Sequence, residues 1–536
     1  MRLALATALA ALPATALLGC APDDADGDPE DGVFVDEGKE DDYFSLTAQE
    51  FLVEGTATVD VEASYTTTAA KEARAKELIG YRQIAIAWFM TQYLVDKEED
   101  EANHAFGGFG GMAKAGAFED LNVHAIDANT YEFTFKQIIA GRRELLDLLP
   151  LDTGPGGKPA FDLEVGTPTN EEMAQLETNA EWYRSAPWDE WNPSTVPASK
   201  KETLTFTIVP ERASSDAWFD VAKLVSDGVL DIDVHFGWDY HNAYHVKHAR
   251  ALYNWLRDEG FRAPVTDFDR LTRTSGDFTK SIRANGRSLS VKIRIFYGKT
   301  GTDTDPDTDA GGIVLENDMR ASLKTRDVVV YSGHSGPFYG FALANWRKTS
   351  EGDLDDADMR TMDLPRTKYQ VVLAEGCDTY QIGQAFKDNP NKAGQNIDVI
   401  TTTSFSNAET PRAVTDFITH LIKRDSRNNL RPETARSLLK DLDSNSYSFH
   451  TMYGLHGIDD NPALHPFGVR ANLGKSCSVN ADCGGVGNMC VTFPTGGKKC
   501  TAACSADRGC GTGYKCRLLA SQSTSTIYGS ACAPVP

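Results

Sequence analysis

Positive charge is scarce in this chain of 536 residues: 53 Lys and Arg stand against 77 Asp and Glu, a formal charge of −24. No local basic patch offsets the imbalance, and so acidic a chain repels phosphate backbones, which excludes nucleic acid as a partner. Long apolar runs are missing beyond Leu18, so no later segment suits a membrane-spanning helix. Cysteine is nearly missing before the tail as well: of ten, only Cys20 and Cys377 precede Cys477. Paired C-x-x-C knuckles do not occur, which argues against zinc in that tail. What remains is ordinary globular composition, 41% hydrophobic, with enough apolar material for several cores. The length fits about two to four domains.

The ends of the chain read by composition. Met1-Arg2 is a minimal positive start, and an apolar run from Leu3 to Leu18, broken by Pro13, ends in Leu17-Leu18-Gly19-Cys20. The run is short for a membrane span. A small residue before a cysteine at this place resembles a bacterial lipobox. The resemblance implies a lipoprotein signal peptide over residues 1–19 and lipidation of Cys20; an ordinary secretory signal with a chance cysteine is the alternative. Residues 20–44 are so rich in Asp and Glu that they read as a disordered, self-repelling tether. The expectation is an exported protein, lipid-anchored to a bacterial membrane, at the outer membrane or cell surface. At the other end Cys477, Cys483, Cys490, Cys500, Cys504, Cys510, Cys516 and Cys532 form an even set in Gly-rich sequence. In an exported chain they read as four disulfides of open connectivity, in a small module over residues 471–536.

Between tether and tail two patterns follow one another. Residues 45–212 read as an α+β domain: strands near Phe51–Val61, Tyr131–Phe135 and Thr203–Val209, a helix over Ala69–Asp96, and a long ordered loop from Pro150 to Ser199. No motif there points to chemistry; a prodomain, a binding module and a scaffold would look alike. Residues 213–470 alternate strands and helices, the pattern of an α/β domain with a mostly parallel sheet flanked by helices. Strands are expected at Val229–Phe236, Ser288–Tyr297, Val328–Tyr331, Val371–Ala374 and Ile397–Ile400, and helices at Ala243–Glu259, Arg412–Lys423 and Pro432–Leu442. The apolar runs at Val328 and Val371 are nearly continuous, as in central strands buried on both faces.

Two of those strands end in reactive residues. Tyr331-Ser332-Gly333-His334-Ser335-Gly336 puts a histidine in a Gly-rich loop, and Ala374-Glu375-Gly376-Cys377-Asp378 puts a cysteine at the next strand end. In open parallel sheets the carboxyl ends of the strands form the ligand crevice, so His334 and Cys377 should face one another. A thiol beside an imidazole can ionise near neutral pH, and the thiolate is the nucleophile. These motifs, in this order and at about this spacing, resemble the caspase-like, legumain and gingipain-type cysteine peptidases of clan CD, over Asp231–Pro466. The segment Asn396–Ser406 is similar to the strand that lines the primary specificity pocket in legumain-like enzymes. The resemblance implies a caspase-haemoglobinase-like fold, a protein or peptide substrate and no required cofactor. It further implies a Cys377–His334 dyad, an acyl-enzyme, and backbone N–H groups of Cys377, Ser335 and Gly336 at the oxyanion. Ser335 and Gly376 depart from the family's Gly after the histidine and Ala or Ser before the cysteine, and Asp378 would oppose thiolate formation.

Four further features carry expectations. Asp239 and Tyr240, just past the first strand, and Ser404, Phe405 and Ser406 are candidate substrate-pocket residues. His241, His245 and His248 share one helical face with His235 upstream, a spacing that suits zinc or simply a partly solvated helix start. Asp305, Asp307, Asp309 and Glu316 fall at positions one, three, five and twelve of a calcium-type loop, but Ala310 occupies the Gly position. A solvated loop is the alternative to calcium. The competing function is a surface binding or adhesion lipoprotein that uses an inactive peptidase-like domain as scaffold.

Overall fold

The computed structural model describes residues 43–101, 113–114, 116–175, 182–189, 191–336, 340–392, 394–406, 411–444, 451–468, 472–484, 487–493, 496–520 and 527–535. The stretch read as a signal peptide, Cys20 and nearly all of the stretch read as an acidic tether lie outside the described residues. Among the described residues no helix is long and apolar enough to cross a membrane.

The architecture is mixed α/β around a mostly parallel sheet of eight strands. In chain order these are β1 (Tyr43–Ser45), β2 (Val229–Phe236), β3 (Phe278–Ala284), β4 (Arg287–Tyr297), β5 (Val328–Ser332), β6 (Gln370–Glu375), β7 (Ile397–Thr402) and β8 (Tyr453–His456). Across the sheet they run β1-β8-β7-β6-β5-β2-β4-β3. The pairs β4·β2, β2·β5, β5·β6 and β6·β7 are parallel, while β1, β8 and β3 pair antiparallel at the edges. Alternate residues of the central strands feed two separate cores. Val328, Val330, Val371 and Leu373 enter one; Val329, Tyr331, Val372 and Ala374 enter the other. Burial on both faces is why these strands are apolar throughout.

Three strands depart from the sequence expectation. β1 begins inside the stretch read as tether, because Tyr43 and Phe44 supply buried aromatic surface that the acidic run before them lacks. It pairs with β8, whose four residues are too few to show a period. β3 and β4 form a hairpin turned at Asn285-Gly286, both at positive φ, the pair that a tight hairpin turn favours.

The chain from Ala48 to Pro210 forms a second, antiparallel sheet covered by the helix Thr68–Glu101. The stretch expected as a loop from Pro150 contains the strand Pro159–Gly166, whose Phe161, Leu163 and Val165 point into the core. Trp182, Trp188 and Trp191 close that core around Phe89. Tyr380, in the α/β part, donates a buried 2.7 Å hydrogen bond to Glu50 of this sheet.

The tail is held by four disulfides: Cys477–Cys490, Cys483–Cys500, Cys504–Cys516 and Cys510–Cys532. They consume all eight thiols. The module docks through main-chain bonds from Ser505 to Ala463 and from His465 to Ala503.

Candidate active site

Among the parallel strands the chain visits β2, then β4 on one side, and then β5, β6 and β7 on the other. The order reverses between β2 and β5, and ligands bind outside the carboxyl ends at such a reversal. Two glycines let the loops meet there. A Cβ on Gly237 would lie 2.2 Å from the Tyr331 hydroxyl, and one on Gly333 would lie 2.7 Å from Gly237 Cα. The buried Tyr331 hydroxyl donates to the His334 carbonyl and fixes the histidine loop.

The loop after β2 carries Asp239 into this crevice. Its Oδ2 accepts N–H bonds from His241, Asn242 and Tyr244 at 3.1, 2.9 and 3.1 Å. Its Oδ1 lies 3.1 Å from His334 Nε2 and 3.1 Å from His241 Nδ1. Burial opposes the charge, yet the Asn242 and Tyr244 N–H groups and the two imidazoles outweigh it, and the pKa falls well below the carboxylate range. An ionised carboxylate only accepts, so His334 carries its proton on Nε2, which leaves Nδ1 as the basic nitrogen. Burial lowers the His334 pKa, against the pull of Asp239, so the ring is neutral near pH ~7. Tyr240 stacks on this ring at 4.7 Å and Trp346 meets it edge-on at 5.7 Å. The exposed Arg347 covers Tyr240 at 4.2 Å. Asp239 is therefore turned inward onto a histidine, and Tyr240 packs beside that histidine.

Cys377 follows β6, beside the histidine loop, and is the free cysteine among the described residues. Ser335 Oγ donates to the Cys377 carbonyl at 2.5 Å, and Gly333 N–H to the Glu375 carbonyl at 3.1 Å. The two loops are thus laced together, although among the described contacts no hydrogen bond joins Cys377 to His334. Neither Ser335 nor Gly336 has a positive φ, so the family's glycine is not needed for backbone reasons; strain sits instead at Asp378, φ 50°. Ser335-Gly336 forms a short antiparallel pairing with Gly340–Ala342.

The expected low-pKa thiol is not what the structure gives. Burial, with the charges of Asp378 and Glu375, pushes the Cys377 thiol up to about 12 against an N–H bond from Ser406. Burial also raises Glu375 and Asp378 to about 7 each. The resting pair is a neutral thiol and a neutral imidazole. Alkylation of Cys377 by iodoacetamide at pH ~7.5 is accordingly expected to run at least about tenfold slower than at an exposed cysteine, and to keep rising beyond pH ~10. A plateau below pH ~8 in a pH–rate series would contradict this electrostatic setting.

Of the other candidate pocket residues, Ser404 is fully buried, its carbonyl accepting the Asp378 N–H at 3.1 Å. Phe405 and Ser406 are partly accessible, and Ser406 touches both Cys377 and Glu375. The calcium-type set does not converge. Asp305 accepts from Gly301 and Asp307, Asp307 from Asn345 and Lys348, Asp309 from Thr349 and Glu316 from Arg320. Asp309 already begins the helix Asp309–Thr325, so the loop is too short to wrap an ion. The histidine set scatters too: the helix Tyr244–Asp258 carries His245 and His248 but starts after His241, so the three do not share a helical face. His235 lies on β2 and bonds Ser322 at 2.9 Å under Phe296, His245 Nδ1 accepts the Asp239 N–H at 3.2 Å, and His241 reaches Asp239 in the crevice.

No family model, curated protein or solved structure matches this chain. The reading of the crevice rests on its own geometry.

Proposed function

We propose that this chain is a cysteine endopeptidase of the caspase-like, legumain and gingipain type, with Cys377 as nucleophile, His334 as proton carrier and Asp239 as the residue that orients it. The observation that carries the reading is the Asp239–His334 pair at the strand reversal, laced to the Cys377 loop on the neighbouring strand. A parallel sheet of this order, with an antiparallel strand beyond β7, supports a caspase-haemoglobinase-like fold.

Because thiol and imidazole both rest neutral, the chemistry is general-base catalysis rather than attack by a standing thiolate. Sγ bonds to the scissile carbonyl carbon as its proton passes to His334 Nδ1, and the charge that appears on Nε2–H is met by Asp239. The Cys377 N–H, with that of Ser335, is offered to the developing oxyanion, since the Gly336 N–H is used in the pairing with Gly340. Collapse breaks the C–N bond, the amine leaves with the proton from His334, and water then hydrolyses the thioester. No metal or cofactor enters this sequence. Cys20 and the acidic stretch after it support a body tethered by lipid to a bacterial membrane.

The test is a fluorogenic peptide library with varied P1, cleaved by wild type beside Cys377→Ala. Cleavage in the wild type and its loss in the variant are expected; equal cleavage by both would reject the reading. One observation favours a second reading, a surface binding lipoprotein on an inactive scaffold: the high thiol pKa without a bond to His334. Silence of the wild type throughout the library would select it.

A further inference from the structure

Asp239 Oδ1, His334 Nε2 and His241 Nδ1 lie within 4.8 Å of one another, the one converging set of metal-ligating side chains among the described residues that is not made of disulfide-bonded cysteines. Two imidazole nitrogens and one carboxylate oxygen are the donors of an open, water-completed zinc site, whose tetrahedral edges are about 3.3 Å. The two contacts to Oδ1 are already 3.1 Å each. The remaining carboxylate oxygen is pinned by three backbone N–H groups, the outer support that ligating carboxylates require. His241 is half exposed at 48%, so an ion and a water can approach from solvent.

We infer that this cluster is a reversible site for a divalent ion of the zinc class, and that occupancy switches the crevice off. Binding is ligand exchange without redox change. A proton on a coordinating imidazole nitrogen gives way to the metal, and the ring then carries its proton on the other nitrogen. For His334 the consequence is decisive. With Asp239 on Nε2–H, Nδ1 is a lone pair able to accept the thiol proton. With a metal on Nε2, Nδ1 carries the proton and is no longer a base. Binding stands on the geometry alone; the switching rests on the function proposed above.

The experiment uses the full chain with its disulfides intact and no reductant. Cys377→Ala, which lacks the free thiol, is titrated with Co²⁺ and followed by its visible absorption, then back-titrated with Zn²⁺. One equivalent is expected to bind, and His241→Ala in the same background is expected to weaken it at least tenfold with an unchanged unfolding transition. In chain with Cys377 present, Zn²⁺ should stop peptide cleavage and a chelator restore it, while His241→Ala cleaves and resists Zn²⁺ at least tenfold better. Failure of Cys377→Ala to bind Co²⁺, or unchanged binding in the His241→Ala background, would overturn the site. Metal binding in a chain that cleaves nothing supports the site and counts against the peptidase instead.

Discussion

Asp239→Asn is expected to lower kcat/KM by about 10³- to 10⁴-fold while leaving the fold intact, because it reverses the tautomer of His334. The three backbone N–H groups at Oδ2 require an oxygen, so the amide oxygen takes that place. The amide nitrogen then faces His334 Nε2, where a donor meets what had been a donor. The ring must present a lone pair at Nε2 and carry its proton on Nδ1, which removes the base. Steady-state kinetics on a peptide from the library, with the thermal unfolding curve as control, checks this. A fall of less than about tenfold would mean that Asp239 does not set the protonation of His334.

Gly376→Ala is the second large effect. An added Cβ would lie 2.2 Å from Ser335 Oγ and 2.8 Å from the Gly333 carbonyl, so the cysteine and histidine loops must move apart. Displacement on the order of 1 Å between reacting groups costs about 100-fold in rate. Overpacking of this kind also lowers stability by about 1–3 kcal/mol. A kcat/KM series together with denaturant unfolding reads both. Glycine at 376 leaves room for the Ser335 hydroxyl, which fills that space and holds the Cys377 carbonyl. Unchanged kinetics in Gly376→Ala would show that this contact does not position the pair.

What the sequence made legible follows from what each feature depends on. Val328–Tyr331 and Val371–Ala374 were visible because burial on both faces makes a strand apolar throughout, and Val229–Phe236 because Leu230, Ile232, Val234 and Phe236 alternate with polar residues. Their ends then put His334 and Cys377 on one edge. The short edge strands Tyr43–Ser45 and Tyr453–His456 were hidden because so few residues carry no period. Strand Pro159–Gly166 was obscured by the Pro and Gly residues around it, although Phe161, Leu163 and Val165 alternate. In the crevice, the tie from Asp239 to His334 spans a long stretch of chain and leaves no spacing to read. The signal that was present is positional: an acidic residue just past the strand at which the order reverses. Of the thiol's setting the opposing charge of Asp378 was legible beside it in the sequence, whereas burial and the approach of Ser406 depend on the fold. The acidic run with Asp305 had the right letters for calcium but not the backbone, since the helix starts at Asp309.

The most direct measurement of the central claim is covalent trapping. Wild-type chain is incubated with a peptidyl acyloxymethyl ketone carrying the P1 residue found in the library, digested, and mapped by mass spectrometry. A single adduct on Cys377 is expected, formed fast in wild type, much more slowly in Asp239→Asn, and absent from Cys377→Ala. Cleavage that continues while Cys377 remains unmodified would contradict the assignment of Cys377 as the nucleophile.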